Sequence, residues 1–417
     1  MTQSAAPRLR HALPAVYTAA AVRLLLPVVV LPLMATRLGA QEFGRLSFVL
    51  VWSSLIAMVV EGGFLAAATR LAVAAEAPRR WQIAQQVFSA RAVLCVPAAL
   101  LSVLAVWVAG GGGPAWVDVL AIAGLACALG WPATWYLQAT QQLAAWARVE
   151  LLVYALLLAA CWALAWRVET YLALQFTASA LLAWRGWHWL RRDLRGEGDR
   201  LWSRPALRPG LRLGWTMLPV SVAGAAYSFA LPAAASLQMS KADLGVYFMA
   251  DRLVRAALNA ADPVFAVVYP RIVTLFGQGA RVALAYALRW SVGCVAAGLL
   301  LFGAGIAGWQ ALEPLVAQRA AGLDLPLLRA TLLVLGALLP LLLGWKFIGY
   351  WMLGSGRFDT AYRSCVVAGG IAGTLGATTW GGAAGPVGLA WLAIGVELLV
   401  IAVAVGGIAL TRWQHTR

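Results

Sequence analysis

Apolar runs of about 20 residues recur along the whole chain, about twelve in all, and a run of that length is what an α-helix needs to cross the ~30 Å hydrocarbon core of a bilayer. The stretch AVLCVPAALLSVLAVWVA, starting at residue 92, is typical. No other feature constrains the fold so far. In lipid every backbone N–H and C=O must be bonded inside the protein, so a chain of such runs has to be a helical bundle. Composition agrees: 62% of the 417 residues are hydrophobic and 12% charged, whereas soluble domains are roughly half apolar. The spans read as 13–36, 44–69, 89–109, 115–139, 148–166, 170–188, 213–237, 244–270, 284–308, 326–352, 360–379 and 385–411. They leave no room for a sizeable soluble domain.

The net charge of +16 gains meaning once it is sorted by position. One set of loops, together with both termini, holds most of the Lys and Arg. The opposite set holds Arg37, Arg45, Arg167, Lys241, Arg319 and Arg329. Positively charged loops stay in the cytoplasm, which places both ends there. The densest basic stretch, RGWHWLRRDLRGEGDRLWSRPALRPGLR (185–212), is then the central cytoplasmic loop. Its charge is explained by topology and anionic lipid headgroups, so no nucleic-acid partner is expected. Arg8 and Arg10 ahead of an apolar run resemble a secretion signal, but that run is too long and contains Arg23, which favours an uncleaved first helix. Cys95, Cys127, Cys161, Cys294 and Cys365 fall inside spans without a CxxC pair, and the three histidines sit near span ends. That pattern argues against a metal centre or a His-based catalytic triad.

The basic loop divides the helices six and six: an N-terminal lobe 1–190, a linker 191–212 and a C-terminal lobe 213–417. Two homologous halves are a common transporter plan. A short repeat fits it: Glu42-Phe43-Gly44 in LGAQEFGRLSFV aligns with Asp243-Leu244-Gly245 in MSKADLGVYFMA, and each follows a helix with a Leu-Pro pair. Prolines within spans, Pro27, Pro97, Pro132, Pro219, Pro263 and Pro340, mark either curvature or hinges.

The segment GVYFMADRLVRAALNAADPVFAVVYP (245–270) carries Asp251, Arg252, Arg255, Asn259 and Asp262. At ~100° per residue these share an arc of about 100° on one helix face. A charge at mid-bilayer costs at least ~2.5–3.5 kcal/mol, so that face should meet other helices or a hydrated cavity. Asp251 and Arg255, four residues apart, can pair. Pairing alone would make the arc a packing device. Arg23 on the first helix and Glu61 on the second offer the alternative, a cationic cavity to which both lobes contribute arginines; guanidinium forks match desolvated phosphate oxygens. Glu61 is either a partner of Arg23 or a protonatable coupling group. Glu397 and Lys346 are isolated in their spans, each facing the lumen or snorkelling. Trp52 and Trp135 are aromatic candidates for lining a path through the bundle.

LPLMATRLGAQEFGRLSFVLVWSSLIAMVVEGGFLAAATR (31–70) resembles the opening hairpin of the polysaccharide-biosynthesis flippases. There an Arg-x-Leu-Gly turn is followed by Glu-Phe-Gly and a helix with an acidic residue and a Gly-Phe-type pair. SKADLGVYFMADRLV, VVYPRI (267–272) and WYLQATQQLAAWARVELLVY are similar to later segments of the same family; the last five helices offer no such motif. The resemblance implies an all-α membrane fold of about 12 helices in two lobes, like the multidrug/oligosaccharidyl-lipid/polysaccharide (MOP) exporters. It also implies an O-antigen or capsule repeat-unit flippase of the bacterial inner membrane that moves an undecaprenyl-pyrophosphate-linked oligosaccharide to the periplasmic leaflet by alternating access. Membrane lipids, a polysaccharide polymerase and chain-length machinery are the partners this implies. No cofactor is expected; Na+ or H+ coupling is open. The resemblance carries cavity arginines onto Arg23 and onto Arg252 or Arg255, and Asn259 joins them on the shared face as a substrate-binding candidate. Asp251, Asp262, Glu61, Glu397 and Lys346 remain polar or coupling candidates. Lipid II-type flippase and MATE-like cation or drug antiporter are the alternatives. An enzyme such as a polyprenyl-phosphate glycosyltransferase or polymerase is disfavoured, because the longest periplasmic segment, 309–325, offers only Glu313 and Asp324.

Overall fold

In the computed structural model every regular element among the described residues is a helix. The structure describes residues 9–73, 75–110, 115–225, 229–319, 324–355 and 358–414. Side chains of 1–28 and of several shorter helical runs, Asp262 among them, lie outside the described set.

Contacts divide the chain into two compact units: Met1–Leu26 with Val49–Ala225, and Pro27–Phe48 with Ala226–Arg417. The first unit holds α2 (Phe64–Val73), α3 (Ala77–Gly110), α4 (Trp116–Gly130), α5 (Thr134–Ala139), α6 (Leu143–Leu164), α7 (Val168–Asp193) and α8 (Arg204–Ala225). Helix α8 begins inside the basic 191–212 segment. The second holds α9 (Leu231–Ala235), α10 (Lys241–Asn259), α11 (Asp262–Leu275), α12 (Ala280–Arg319), α13 (Leu325–Gly336), α14 (Leu338–Ser355) and α15 (Asp359–Gln414). The first helix, α1 (Leu9–Glu61), contributes to both units.

Among the described residues seven helical stretches are long and apolar enough to cross a membrane, by length and composition. Val29–Val73 and Thr360–Leu410 run 45 and 51 residues, more than twice the ~20 of a single crossing. Each is interrupted at a glycine of positive φ, Gly39 at 75° and Gly385 at 61°. Gly39 closes the Arg37-Leu38-Gly39 turn, one residue shorter than the Arg-x-Leu-Gly pattern.

Leu100, Leu120, Trp107, Trp162, Leu300 and Trp380 are exposed, a surface that water would penalise and lipid tails accept. Hydroxyls inside the helices bond their own chain: Ser47 to the Phe43 carbonyl at 2.8 Å, Ser102 to Ala98 at 2.8 Å and Thr374 to Gly370 at 2.7 Å. This is how polar groups are satisfied where no water reaches them.

The two repeat turns meet inside the second unit. A methyl group on Gly44 would overlap the Lys241 carbonyl, and one on Gly245 would lie 3.0 Å from the Phe43 ring. Phe43 also packs edge-on to Phe248 at 6.5 Å, and the Lys241 ammonium lies 3.9 Å over the Phe48 ring. At Gly44 glycine is thus required by close backbone approach, while Gly245 packs tightly against the Phe43 ring.

Candidate functional site

Helix α10 starts where the Ser240 hydroxyl accepts the Asp243 N–H at 3.1 Å, a side-chain N-cap. It ends at Asn259, just before Pro263, whose ring cannot continue the helix without a break. Between these limits it buries Leu244 to Asp251, with Arg252 and Arg255 half-buried and Asn259 exposed. Asp251 and Arg255 form the pair that their spacing allows: Nε of Arg255 donates to both Asp251 carboxylate oxygens at 2.9 Å. One turn earlier, the Arg252 guanidinium sits over two rings, Phe248 at 4.9 Å and Phe229 at 5.8 Å. Cation–π contacts of this kind are worth ~2 kcal/mol or more where water is excluded. Both contacts lower the cost of holding charge at membrane depth and fix the direction of each guanidinium.

Glu397 on α15 is buried and acts electrostatically on Arg255, so a residue isolated in sequence joins the same cluster. Tyr247, one turn before Asp251, is fully buried beside the pair. Lys346 on α14 lies elsewhere in the unit, 4.0 Å over the Phe265 ring, and shares a cavity with Asn259.

The first unit contains a different guanidinium. Arg91 on α3 is buried, and its Nη1 donates to the carbonyls of Trp131 and Pro132 at 2.8 Å each. Those carbonyls are released where Pro132 separates α4 from α5, and the Trp187 indole N–H also donates to Trp131 O at 2.9 Å. Glu61 lies 4.0 Å from Nη2 of Arg91. Its carboxylate accepts the N–H groups of Gly63 at 2.9 Å and Leu65 at 2.6 Å, capping α2 after the left-handed pair Gly62 and Gly63. Glu61 therefore joins α2, Arg91 and the α4–α5 break. Arg91 itself is hidden from sequence inspection, because its partners are backbone carbonyls about 40 residues away rather than a charge at helical spacing.

Of the sequence-derived residues, Asp251, Arg252, Arg255 and Glu397 gather in the second unit, and Asn259 and Lys346 share a cavity there. The side chains of Arg23 and Asp262 lie outside the described residues. Trp135 is wholly buried, edge-on to Tyr136 at 5.8 Å in the core of the first unit, and so lines no open path in this conformation. Among the described residues no group of three His, Cys, Asp or Glu is placed to hold a metal ion.

Residues 15–276 match the family model described as "Polysaccharide biosynthesis protein". No curated protein matches the chain significantly. Among solved structures it is similar to an inward-facing multidrug resistance MATE family transporter of the MOP superfamily, with a TM-score of 0.66 and 14% identity over 94% of each chain. It is also similar to the lipid II flippase MurJ in an inward closed conformation: TM-score 0.62 and 10% identity, over 93% of this chain and 86% of that one. A MOP superfamily transporter from Pyrococcus furiosus aligns with a TM-score of 0.57 and 12% identity over 96% and 94%. At such identities the likeness speaks for the fold alone, an all-helical multi-pass membrane fold like that of these transporters. These relatives are transporters and flippases, not enzymes.

Proposed function

The chain belongs to the polysaccharide biosynthesis protein family, and from that premise we propose that it is a flippase for a lipid-linked oligosaccharide. Its substrate is an undecaprenyl-pyrophosphate-linked repeat unit, moved from the cytoplasmic to the periplasmic leaflet of a bacterial inner membrane for O-antigen, capsule or exopolysaccharide assembly. About twelve crossings in two lobes, with both ends cytoplasmic, work by alternating access, and Glu61, Asp251, Asp262, Glu397 and Lys346 are the candidates for Na+ or H+ coupling. The polymerase and chain-length machinery receive the product.

The observation that carries this reading is the polar face of α10. Arg255 is held by Asp251, and Arg252 is braced on two phenylalanine rings, so two guanidiniums are fixed within one helical turn. Diphosphate oxygens are best met by such forks. The sugars occupy hydrated space and the polyprenyl tail stays in lipid. No bond is made or broken in the glycolipid; binding energy that differs between two conformations is sufficient.

A second reading has a specific observation behind it. The Asp251–Arg255 ion pair braces α10 one turn along itself, and buried Glu397 on α15 acts on Arg255, so the charges can serve helix packing with no ligand required. The fold is common to flippases and drug transporters and does not choose between them; what supports the flippase reading is that the Arg252 and Arg255 guanidiniums suit an anionic cargo. Reconstitution into vesicles with a fluorescent polyprenyl-pyrophosphate oligosaccharide tests both readings. Wild type should expose the glycan to an outside hydrolase and Arg255→Ala should not. If the alanine variant flips at the wild-type rate, the pair is a packing lock and the docking role is lost.

A further inference from the structure

Within the second unit a cavity of about 360 Å³ is bordered by Asn259, Phe265, Trp345, Lys346, Tyr350 and Tyr362, inside the ~300–1,000 Å³ range of small-molecule sites. Three helices and the last residue of α10 supply these groups, so the site is built from segments far apart in sequence. Phe265 stands beside Tyr350 at 6.0 Å, and Lys346 points its ammonium at the Phe265 face. A lysine retained within an apolar span is a costly choice unless it serves a function.

We propose that this cavity is a subsite for an acidic sugar of the lipid-linked glycan, with Lys346 meeting the sugar carboxylate. Aromatic faces pack against the C–H face of a pyranose ring. The Asn259 amide and the tyrosine hydroxyls supply the donors and acceptors that ring hydroxyls need. The ammonium decides the class: a compact point charge suits a single carboxylate, whereas a diphosphate is better matched by the guanidinium forks of Arg252 and Arg255. Position agrees, since Asn259 follows Arg255 by four residues on the same face, about 6 Å along the helix axis. A sugar near the diphosphate would reach it. The subsite deepens the flippase reading and rests on it.

The test is calorimetry on full-length protein in lipid nanodiscs, with cellobiouronic acid, its neutral counterpart cellobiose, and inorganic pyrophosphate as probes. Wild type should bind the acidic disaccharide at least ~10-fold more tightly than the neutral one, the weight of one charge-assisted contact. Lys346→Met should erase that preference and Lys346→Arg should keep most of it. Asn259→Ala, at the exposed end of α10, should weaken both disaccharides alike and serves if Lys346→Met does not purify. Equal affinities in wild type, or a preference that survives Lys346→Met, overturns the proposal. So does loss of pyrophosphate binding in Lys346→Met while Arg255→Ala retains it, because Lys346 would then serve the diphosphate. An intact acidic preference supports the subsite even if pyrophosphate fails to bind wild type, a result that counts against the flippase reading alone.

Discussion

Each unit contains an arginine beside a carboxylate near a helix break, and the two arginines are used in opposite ways. In the first unit the Arg91 side chain is 1% exposed and its hydrogen bonds go to the Trp131 and Pro132 carbonyls, with Glu61 4.0 Å away. In the second, the Arg255 side chain is 35% exposed and bonds Asp251 through Nε. Arg91 donates to the Trp131 and Pro132 carbonyls left open where α4 gives way to α5, so it belongs to the scaffold. Arg255 is oriented by its partner through Nε, with its side chain a third exposed. A buried guanidinium in a membrane helix is therefore not by itself a ligand site; what its donors meet, and how open it is, separate the two cases.

The largest effect expected from this contrast is at Arg91. Arg91→Ala strips the donors from two carbonyls and leaves Glu61 without its neighbouring cation, a loss of ~3–5 kcal/mol for one member of a buried pair. Little monodisperse protein should survive detergent extraction, and a normal yield with an unchanged thermal midpoint would erase the distinction between the arginines. Arg255→Ala strands the buried Asp251 carboxylate and should lower the yield, and the protein that folds should transport ~10–100-fold more slowly, the weight of one or two charge-assisted hydrogen bonds. Vesicle flipping rates divided by protein yield give that number.

Asp251→Asn keeps a hydrogen-bond acceptor beside Arg255 but removes the charge. Transport should fall several-fold, less than for Arg255→Ala, since the arginine is oriented less firmly while its charge persists. A drop equal to that of Arg255→Ala would mean that the pair, rather than the arginine, is what transport requires. The smallest effect belongs to Arg329, which pairs with Glu313 at 3.8 Å with both side chains well exposed. Arg329→Gln should change stability by only ~0–1 kcal/mol, as open ion pairs do, and its melting curve should overlay that of wild type.

The bundle was legible in the apolar runs because lipid leaves a helix no alternative. The Asp251–Arg255 bond was legible because four residues make one turn. The meeting of the Gly44 and Gly245 turns was hinted at by the repeat, but its reason, backbone against backbone, needed coordinates. Three things were out of reach. Residues 27–48 belong with the second unit through contacts with segments some 200 residues later. Arg91 is satisfied by carbonyls, which every residue has, so no pattern of residue types reveals it. Asn259 and Lys346 come together only because α10 and α14 pack, and helical periodicity says nothing about which helices are neighbours. Glu61 had a readable signal: an acidic residue before Gly62-Gly63 and a new helix is placed to cap that helix.

The most direct test of the central claim is to delete the gene and analyse extracted lipids by mass spectrometry, with wild type and Arg255→Ala restored in parallel. The flippase account predicts that an intact polyprenyl-pyrophosphate repeat unit accumulates while surface polysaccharide disappears, that wild type reverses both changes, and that Arg255→Ala reverses neither. If only truncated glycolipids or none build up, the protein acts at a different step, and the charged face of α10 is a packing device.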